Sequence, residues 1–289
     1  MAEMTRLFVI AGIAAALASA QDRKLRVIAF GAHPDDCDIK FGGTAHKLAL
    51  AGHAVKFVSV TNGDAGHQSI GGGMLAQRRY LETQESARRL GIAEYEVFDN
   101  HDGELTPNVE VRRQVIRAIR KWRADIVVAP RPNDYHPDHR YTGVLVQDAA
   151  YMVVVPNITP DVPALENNPV FLYYQDGFQK PSPFRPDVVV ALDDVWEKKV
   201  NALDAHVSQF YEWLPWVDHR LHEVPKDPAE RKKWLAGMRV QRISDAARAT
   251  LERRYGKEKA AGVRYTESFE LCEYGRQPSI EELDRLFPK

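Results

Sequence analysis

From residue 25 to about residue 130 the chain alternates short apolar runs with amphipathic stretches, and this alternation limits its possible folds more than any other feature. "LRVIAF", "AVKFVSV", "YEVFD" and "ADIVVAP" read as strands. The first and last are continuously apolar, as a strand covered on both faces must be. Between them, "GGTAHKLALAG" has helical spacing and ends on Gly52. "LAQRRYLETQESARRLG" sets Leu75, Leu81, Ala87 and Leu90 on one side and closes at Gly91, and "NVEVRRQVIRAIRKW" is a third helix. Strands separated by helices are joined by right-handed crossovers, so the expected fold is α/β with a mostly parallel, doubly wound sheet. Past residue 150, "NPVFLYYQDG" and "PDVVVALDD" read as later strands, the second leading into "VWEKKVNALDAHVSQFYEWL". Helical additions then include the arginine-rich stretch near 239–254, read as a solvated face, and a helix capped by Ser279 with Glu282. No repeat or linker divides the chain.

In such sheets ligands bind beyond the carboxyl ends of the strands. Two unusual stretches fall there: His33-Pro34-Asp35-Asp36 after the first strand, and His136-Pro137-Asp138-His139 after "ADIVVAP". Adjacent carboxylates raise each other's cost of ionisation and so point to a cation. Imidazole nitrogen and carboxylate oxygen are what a catalytic zinc takes, with three protein ligands and one open position. H-x-x-D in one loop and H-x-x-H in the other supply that set, and one aspartate can bind metal while its neighbour accepts a proton. Either tetrapeptide alone reads as an ordinary loop or helix cap. Their joint placement at the ends of two parallel strands makes the metal reading the stronger.

Net charge is −1 without a basic stripe, which argues against nucleic acid or an anionic membrane as the main partner. The two cysteines, Cys37 and Cys272, could pair but form no disulfide framework or cysteine-rich zinc site, and Cys37 reads as a small buried residue. At the N-terminus, Arg6 precedes an apolar run from Leu7 to Ala18, and Ala18 and Ala20 stand before Gln21. The run is shorter than the roughly 20 residues of a membrane span. It reads as a signal peptide over residues 1–20, leaving a domain over 21–289 exported to the periplasm or beyond, without stable membrane insertion.

"AHPDDCDIKFGGT" together with "HPDH" resembles the PIG-L/LmbE-type zinc-dependent de-N-acetylases, from Val27 to about Asp148 and more faintly in "KKVNALDAHVSQ" and "YTESFE". The resemblance implies a Rossmann-like fold, one Zn2+ per chain, and hydrolysis of acetyl amides on N-acetylglucosamine-type sugars, with a small-molecule or glycan substrate. Matched by motif, His33, Asp36 and His139 would be the zinc ligands and Asp35 the general base. His136 would steady the oxyanion or act as acid, and Asp138 would orient a histidine. Arg79 and Asp102 would bind substrate. Read from the residues alone, Arg79 and Glu82 equally form an ion pair along a helix, and Asp102-Gly103 a plain turn. Asp38 stands where the family often has Glu, two residues after the second aspartate. The glycine-rich loop 66–74 reads as flexible, with a lid as the sharper alternative, and Phe210, Tyr211, Trp213 and Trp216 read as core beside His206. A phosphoesterase on the same scaffold and a non-catalytic carbohydrate-binding protein are the rival readings. The histidine-rich single-metal set argues against the first, and intact Asp35 and His136 against the second.

Overall fold

The computed structural model describes residues 23–240 and 242–289. The signal peptide read at residues 1–20 lies outside the described residues. Seven strands form one sheet: β1 (Arg26–Gly31), β2 (Ala54–Ser59), β3 (Glu94–Val97), β4 (Ile126–Ala129), β5 (Val170–Tyr174), β6 (Val188–Ala191) and β7 (Thr266–Gly275), in the order β3-β2-β1-β4-β5-β7-β6. The first five are parallel, as the alternation requires. β7 runs antiparallel between β5 and β6. Its buried positions do not alternate cleanly, so the spacing of its residues does not mark it as a strand.

β1, an interior strand, shows why its apolar run is unbroken. Val27 and Ala29 point into one core, and Ile28 and Phe30 into the other. The first core is covered by α1 (Asp36–Leu50) through Phe41, Ala45 and Leu48, and by α2 (Gly72–Leu90) through Ala87 and Leu90. The second is covered by α3 (Val109–Trp122) through Val115, Ile116 and Ile119, and by α4 (Pro137–Met152) through Leu145, Val146 and Ala149. Burying a side chain of this size contributes about 1.5–3 kcal/mol, so each residue of β1 favours a two-sided sheet.

Several boundaries differ from the expected ones. α1 starts at Asp36, ahead of the glycine pair, and is capped at Ala51 with Gly52 following at φ 81°. On α2, which ends at Gly91 (φ 71°), Leu81 is 58% exposed. The buried face of that helix is instead Leu75, Arg79, Glu82, Thr83, Ser86, Ala87 and Leu90. Hydrophobic spacing finds Leu75, Ala87 and Leu90 of this face but not its polar members, Arg79, Glu82, Thr83 and Ser86. Beyond β6 the chain forms α5 (Trp196–Leu203), a π-helical turn (Ser208–Trp213) running into α6 (Leu214–Val217), then α7 (Pro228–Met238), α8 (Asp245–Tyr255), α9 (Lys257–Gly262) and α10 (Ile280–Leu286). The arginine-rich stretch is not uniformly solvated. Arg254 is buried and donates to the carbonyls of Val189 (2.7 Å) and Phe287 (3.1 Å). Ser279 caps α10 by accepting from the Glu282 amide at 3.2 Å. Cys37 and Cys272 are free and buried. Among the described residues, no helix is long and apolar enough to cross a membrane.

Candidate metal centre

The chain leaves β1 toward β2 and β3 on one side and later returns to β4 on the other. β1 and β4 are therefore neighbours at the point where the strand order reverses, and the loops after them open side by side. This brings His33 and His139, 106 residues apart, within 3.1 Å, Nδ1 to Nε2. Two glycines make the approach close enough. A Cβ on Gly31 would lie 2.6 Å from the Cβ of Asp36, and one on Gly143 would lie 2.7 Å from the carbonyl oxygen of Pro130.

Asp36 completes a triangle, its Oδ2 lying 3.6 Å from His33 Nδ1 and 3.5 Å from His139 Nε2. Donors on a tetrahedral zinc, at bonds of about 2.0–2.1 Å, are spaced by about 3.3 Å. Each donor is also fixed from behind. The His33 amide donates to Asp36 Oδ2 at 2.8 Å, His33 Nε2 faces Asp102 (3.1 Å) and Asp138 (3.3 Å), and His139 Nδ1 faces Asp134 Oδ1 at 3.0 Å. Burial works to raise the Asp36 pKa, but His139 and His33 hold it well below the carboxylate range. Burial pulls His33 and His139 down, yet their carboxylate neighbours leave both raised. With Nε2 of His33 and Nδ1 of His139 each given to carboxylates, the two remaining ring nitrogens turn lone pairs toward each other at 3.1 Å. A cation between them removes the conflict, so the donor set fits a metal. The same side chains allow other groupings: His33, His136 and His139, or His33, Asp102, His136 and Asp138, with donor atoms within 4.8 Å of one another. The second is the poorer set, because Asp138 already accepts from the amides of Gly103 (2.7 Å) and Leu105 (3.2 Å).

Asp35 sits beside the triangle at φ 157°, ψ −21°, an outlier for a residue with a side chain. Burial, opposed by Arg79 and aided by Asp36, pushes its carboxyl up to about 6. His136 caps α4, and its Nδ1 accepts from the Asp138 amide at 3.2 Å. In the neutral ring the proton is then on Nε2. Burial, with His33 and His139 nearby, lowers its pKa. Asp138 is fully buried and acts on His33 from behind rather than lining the cavity. Arg79 forms no ion pair with Glu82. Its guanidinium donates to Gly63 O (3.2 Å), Pro34 O (3.2 Å) and Asp35 Oδ1 (3.3 Å), while Glu82 takes the amide and hydroxyl of Ser208. Asp102 is more than a turn, since its oxygens face His33 and, at 3.6 Å, Arg79. Burial opposes ionisation of Asp102, but His33 lowers its pKa to about 2.

The site opens into a cavity of about 580 Å³. Tyr135, Phe178 and Trp213 line it, so Trp213 is not core, and neither is the exposed Trp216, whereas Phe210 and Tyr211 are. The glycine-rich loop is pinned to the π-helical turn: His67 Nε2 meets Glu212 at 2.8 Å, and Gln209 donates to Gly66 O at 3.1 Å. Asp38 turns away from the donor triangle, accepting from Tyr95 OH at 3.1 Å and from Ser86 Oγ, with His206 Nε2 at 3.2 Å. Asp134 was missed, although its signal was available. A metal-binding histidine needs an acceptor for its second nitrogen, and Asp134 is the acid in the same loop. Lys40 and Arg239, which also line the cavity, carried no such signal.

A model of the family described as PIG-L, GlcNAc-PI de-N-acetylase, matches residues 28–150. Diacetylchitobiose deacetylase of Thermococcus kodakarensis is 34% identical over 203 residues, which cover 66% of this chain and 73% of that protein. The solved N,N'-diacetylchitobiose deacetylase from Pyrococcus horikoshii superposes with a TM-score of 0.63 at 30% identity, covering 85% of this chain and 83% of its own. GalB, the 4-carboxy-2-hydroxymuconate hydratase from Pseudomonas putida, superposes at 0.67 but is 18% identical, covering 88% and 98% of the two chains. That is a likeness of fold alone.

Proposed function

As the chain belongs to the PIG-L family of de-N-acetylases, we propose that it hydrolyses the acetyl amide of an N-acetylglucosamine-type sugar, with one zinc ion held by His33, Asp36 and His139. The observation that carries this reading is the donor triangle of 3.1 to 3.6 Å edges at a cavity of ligand size. A bound zinc polarises a carbonyl and lowers the pKa of a coordinated water to about 7. Asp35 takes the proton of the attacking water. Burial raises its carboxyl above the ordinary carboxylate range, which suits it to accept that proton and return it to the leaving amine. His136 donates its Nε2–H to the carbonyl oxygen as negative charge builds there. Arg79 holds Asp35 in place, Asp102 and Asp138 hold His33, and Trp213 and Phe178 offer faces on which a sugar ring stacks.

The test compares the chain from Gln21 with its Asp35→Asn form, measuring bound metal by elemental analysis and acetate released from N-acetylglucosamine-containing compounds. The reading expects about one zinc in both and acetate from the unsubstituted protein alone. Absence of metal after zinc is resupplied would overturn the ligand assignment, and undiminished acetate release by Asp35→Asn would overturn the base. Phosphate release from phosphosugars without acetate release would favour the phosphoesterase. We place this reaction outside the cytosol, in a single domain over 21–289, on the signal-like residues 1–20. Recovery of the active protein inside the cell with Met1 intact would overturn that placement.

A further inference from the structure

Two cations of the cavity wall have no direct ion-pair partner among the described residues. Five carboxylates line the cavity, and each has a cationic or imidazole neighbour: Asp35 has Arg79, Asp36 and Asp102 have His33, Asp134 has His139, and Asp176 has Arg131 at 2.6 Å. The two cations on the same wall have no such partner. Lys40 Nζ reaches only a neutral group, the carbonyl oxygen of Gln175, at 3.0 Å. The Arg239 guanidinium, stacked 4.6 Å over the Phe210 ring, forms no hydrogen bond or ion pair among the described residues, and its Nε is buried without a partner. Burial lowers the pKa of both groups, and the carboxylates that act on them from beyond ion-pair distance, Asp36, Asp134 and Asp176 on Lys40 and Asp35 and Asp218 on Arg239, offset it only in part. Lys40 and Arg239 also line an adjoining recess of about 40 Å³, shared with Ser268, whose buried hydroxyl is likewise unpartnered. A recess of that size takes a group of a few heavy atoms.

We propose that Lys40 and Arg239 form an anion subsite beside the metal ligands, and that the sugar deacetylated here carries a carboxylate, sulfate or phosphate on or next to the acetylated ring. This rests on the deacetylase reading above. Arginine suits the role because its planar fork pairs with two oxygens of such a group at once. The substrate anion supplies the direct partner that these two cations lack.

The experiment measures kcat/KM for acetate release from N,N'-diacetylchitobiose and from an N-acetylglucosamine–glucuronic acid disaccharide, in the zinc-loaded protein and in Arg239→Gln, Arg239→Lys and Lys40→Met. The 6-sulfate and 6-phosphate of N-acetylglucosamine separate the sources of the anion. The proposal expects an acidic-over-neutral preference of about tenfold to a hundredfold, carried by KM. That preference should fall toward unity in Arg239→Gln, be partly restored in Arg239→Lys, and weaken with added salt. Equal rates on neutral and acidic sugars, or an Arg239→Gln form that slows both by the same factor, would overturn it. Calorimetric binding of the deacetylated disaccharides keeps the two readings apart. Tighter binding of the acidic one, lost in Arg239→Gln, sustains the subsite even if no sugar releases acetate, whereas equal binding overturns it.

Discussion

Asp134 Oδ1 stands 3.0 Å from His139 Nδ1, and the other nitrogen of that ring, Nε2, points at His33 Nδ1 3.1 Å away. The carboxylate therefore selects the tautomer and the direction of the histidine's free lone pair. Acceptors of this kind are worth about tenfold to a hundredfold in metal affinity. Asp134→Asn is expected to weaken zinc binding by that factor while leaving helix content unchanged, measured by competition with a chromophoric chelator alongside circular dichroism. Unchanged affinity would mean that Asp134 does not set the ring.

His136 holds its Nε2–H toward the cavity because its Nδ1 is occupied by the Asp138 amide. If that N–H meets the developing oxyanion, His136→Ala should lower kcat by about 10²–10³, or about 2.7–4 kcal/mol of barrier, with bound metal unchanged. Steady-state kinetics with metal analysis on the same sample decides it. Loss of metal in the variant would instead make His136 a ligand.

A buried ion pair in the wall of the adjoining recess, away from the donor triangle, tests the packing of α1 against β7. Glu267 accepts from Lys199 Nζ at 2.7 Å and from the amides of Gly43 (2.9 Å) and Thr44 (2.7 Å), all out of water. Glu267→Ala strands the lysine charge and two amides, so it should cost about 3–5 kcal/mol in urea unfolding. A loss below about 1 kcal/mol would show that water reaches the pair.

Asp204 gives the fold a pH dependence independent of the metal. Burial raises the cost of its charge, but Tyr211 OH at 2.7 Å and Arg89 at 2.9 Å, with Lys232 near, hold its pKa below the ordinary value. A depressed carboxylate stabilises the fold above its unfolded pKa of about 3.9, and the contribution disappears as pH falls through the lower folded value. Wild type should therefore exceed Asp204→Asn by about 1–3 kcal/mol at pH 6, with the gap closing below about pH 4. A gap that stays constant from pH 6 to pH 3 would exclude the charge as its source.

Gly31→Ala probes how closely the first loop must fold. The added methyl would sit 2.6 Å from the Asp36 Cβ, so either β1 or the start of α1 must shift. Weaker zinc binding with only a modest fall in melting temperature is expected. A variant that binds zinc as the parent does would show that the loop has room to adjust.

Much of this was legible in the residues, for reasons of range. The unbroken run of β1 implied two covered faces, and the cores that receive Val27 and Ile28 lie on opposite sides of it. On α2 spacing placed Leu75, Ala87 and Leu90 correctly but put Leu81 inside, and it could not find the polar residues Arg79, Glu82 and Ser86 that complete the buried face. β7 escaped notice because it joins the sheet by pairing with β5 and β6, distant in sequence, and not through an apolar pattern of its own.

By itself the sequence determined the strand–helix alternation and the two loops that carry His33, Asp35, Asp36, His136, Asp138 and His139, because secondary structure and ligand chemistry are local properties of the chain. Only the tertiary structure decided that β1 and β4 would be neighbours, that Asp134 would stand behind His139 and Asp102 behind His33, and that Lys40 and Arg239 would share a wall. Those relations depend on strand order and helix packing, whose energies come from contacts between residues far apart in sequence, and no spacing along the chain records them.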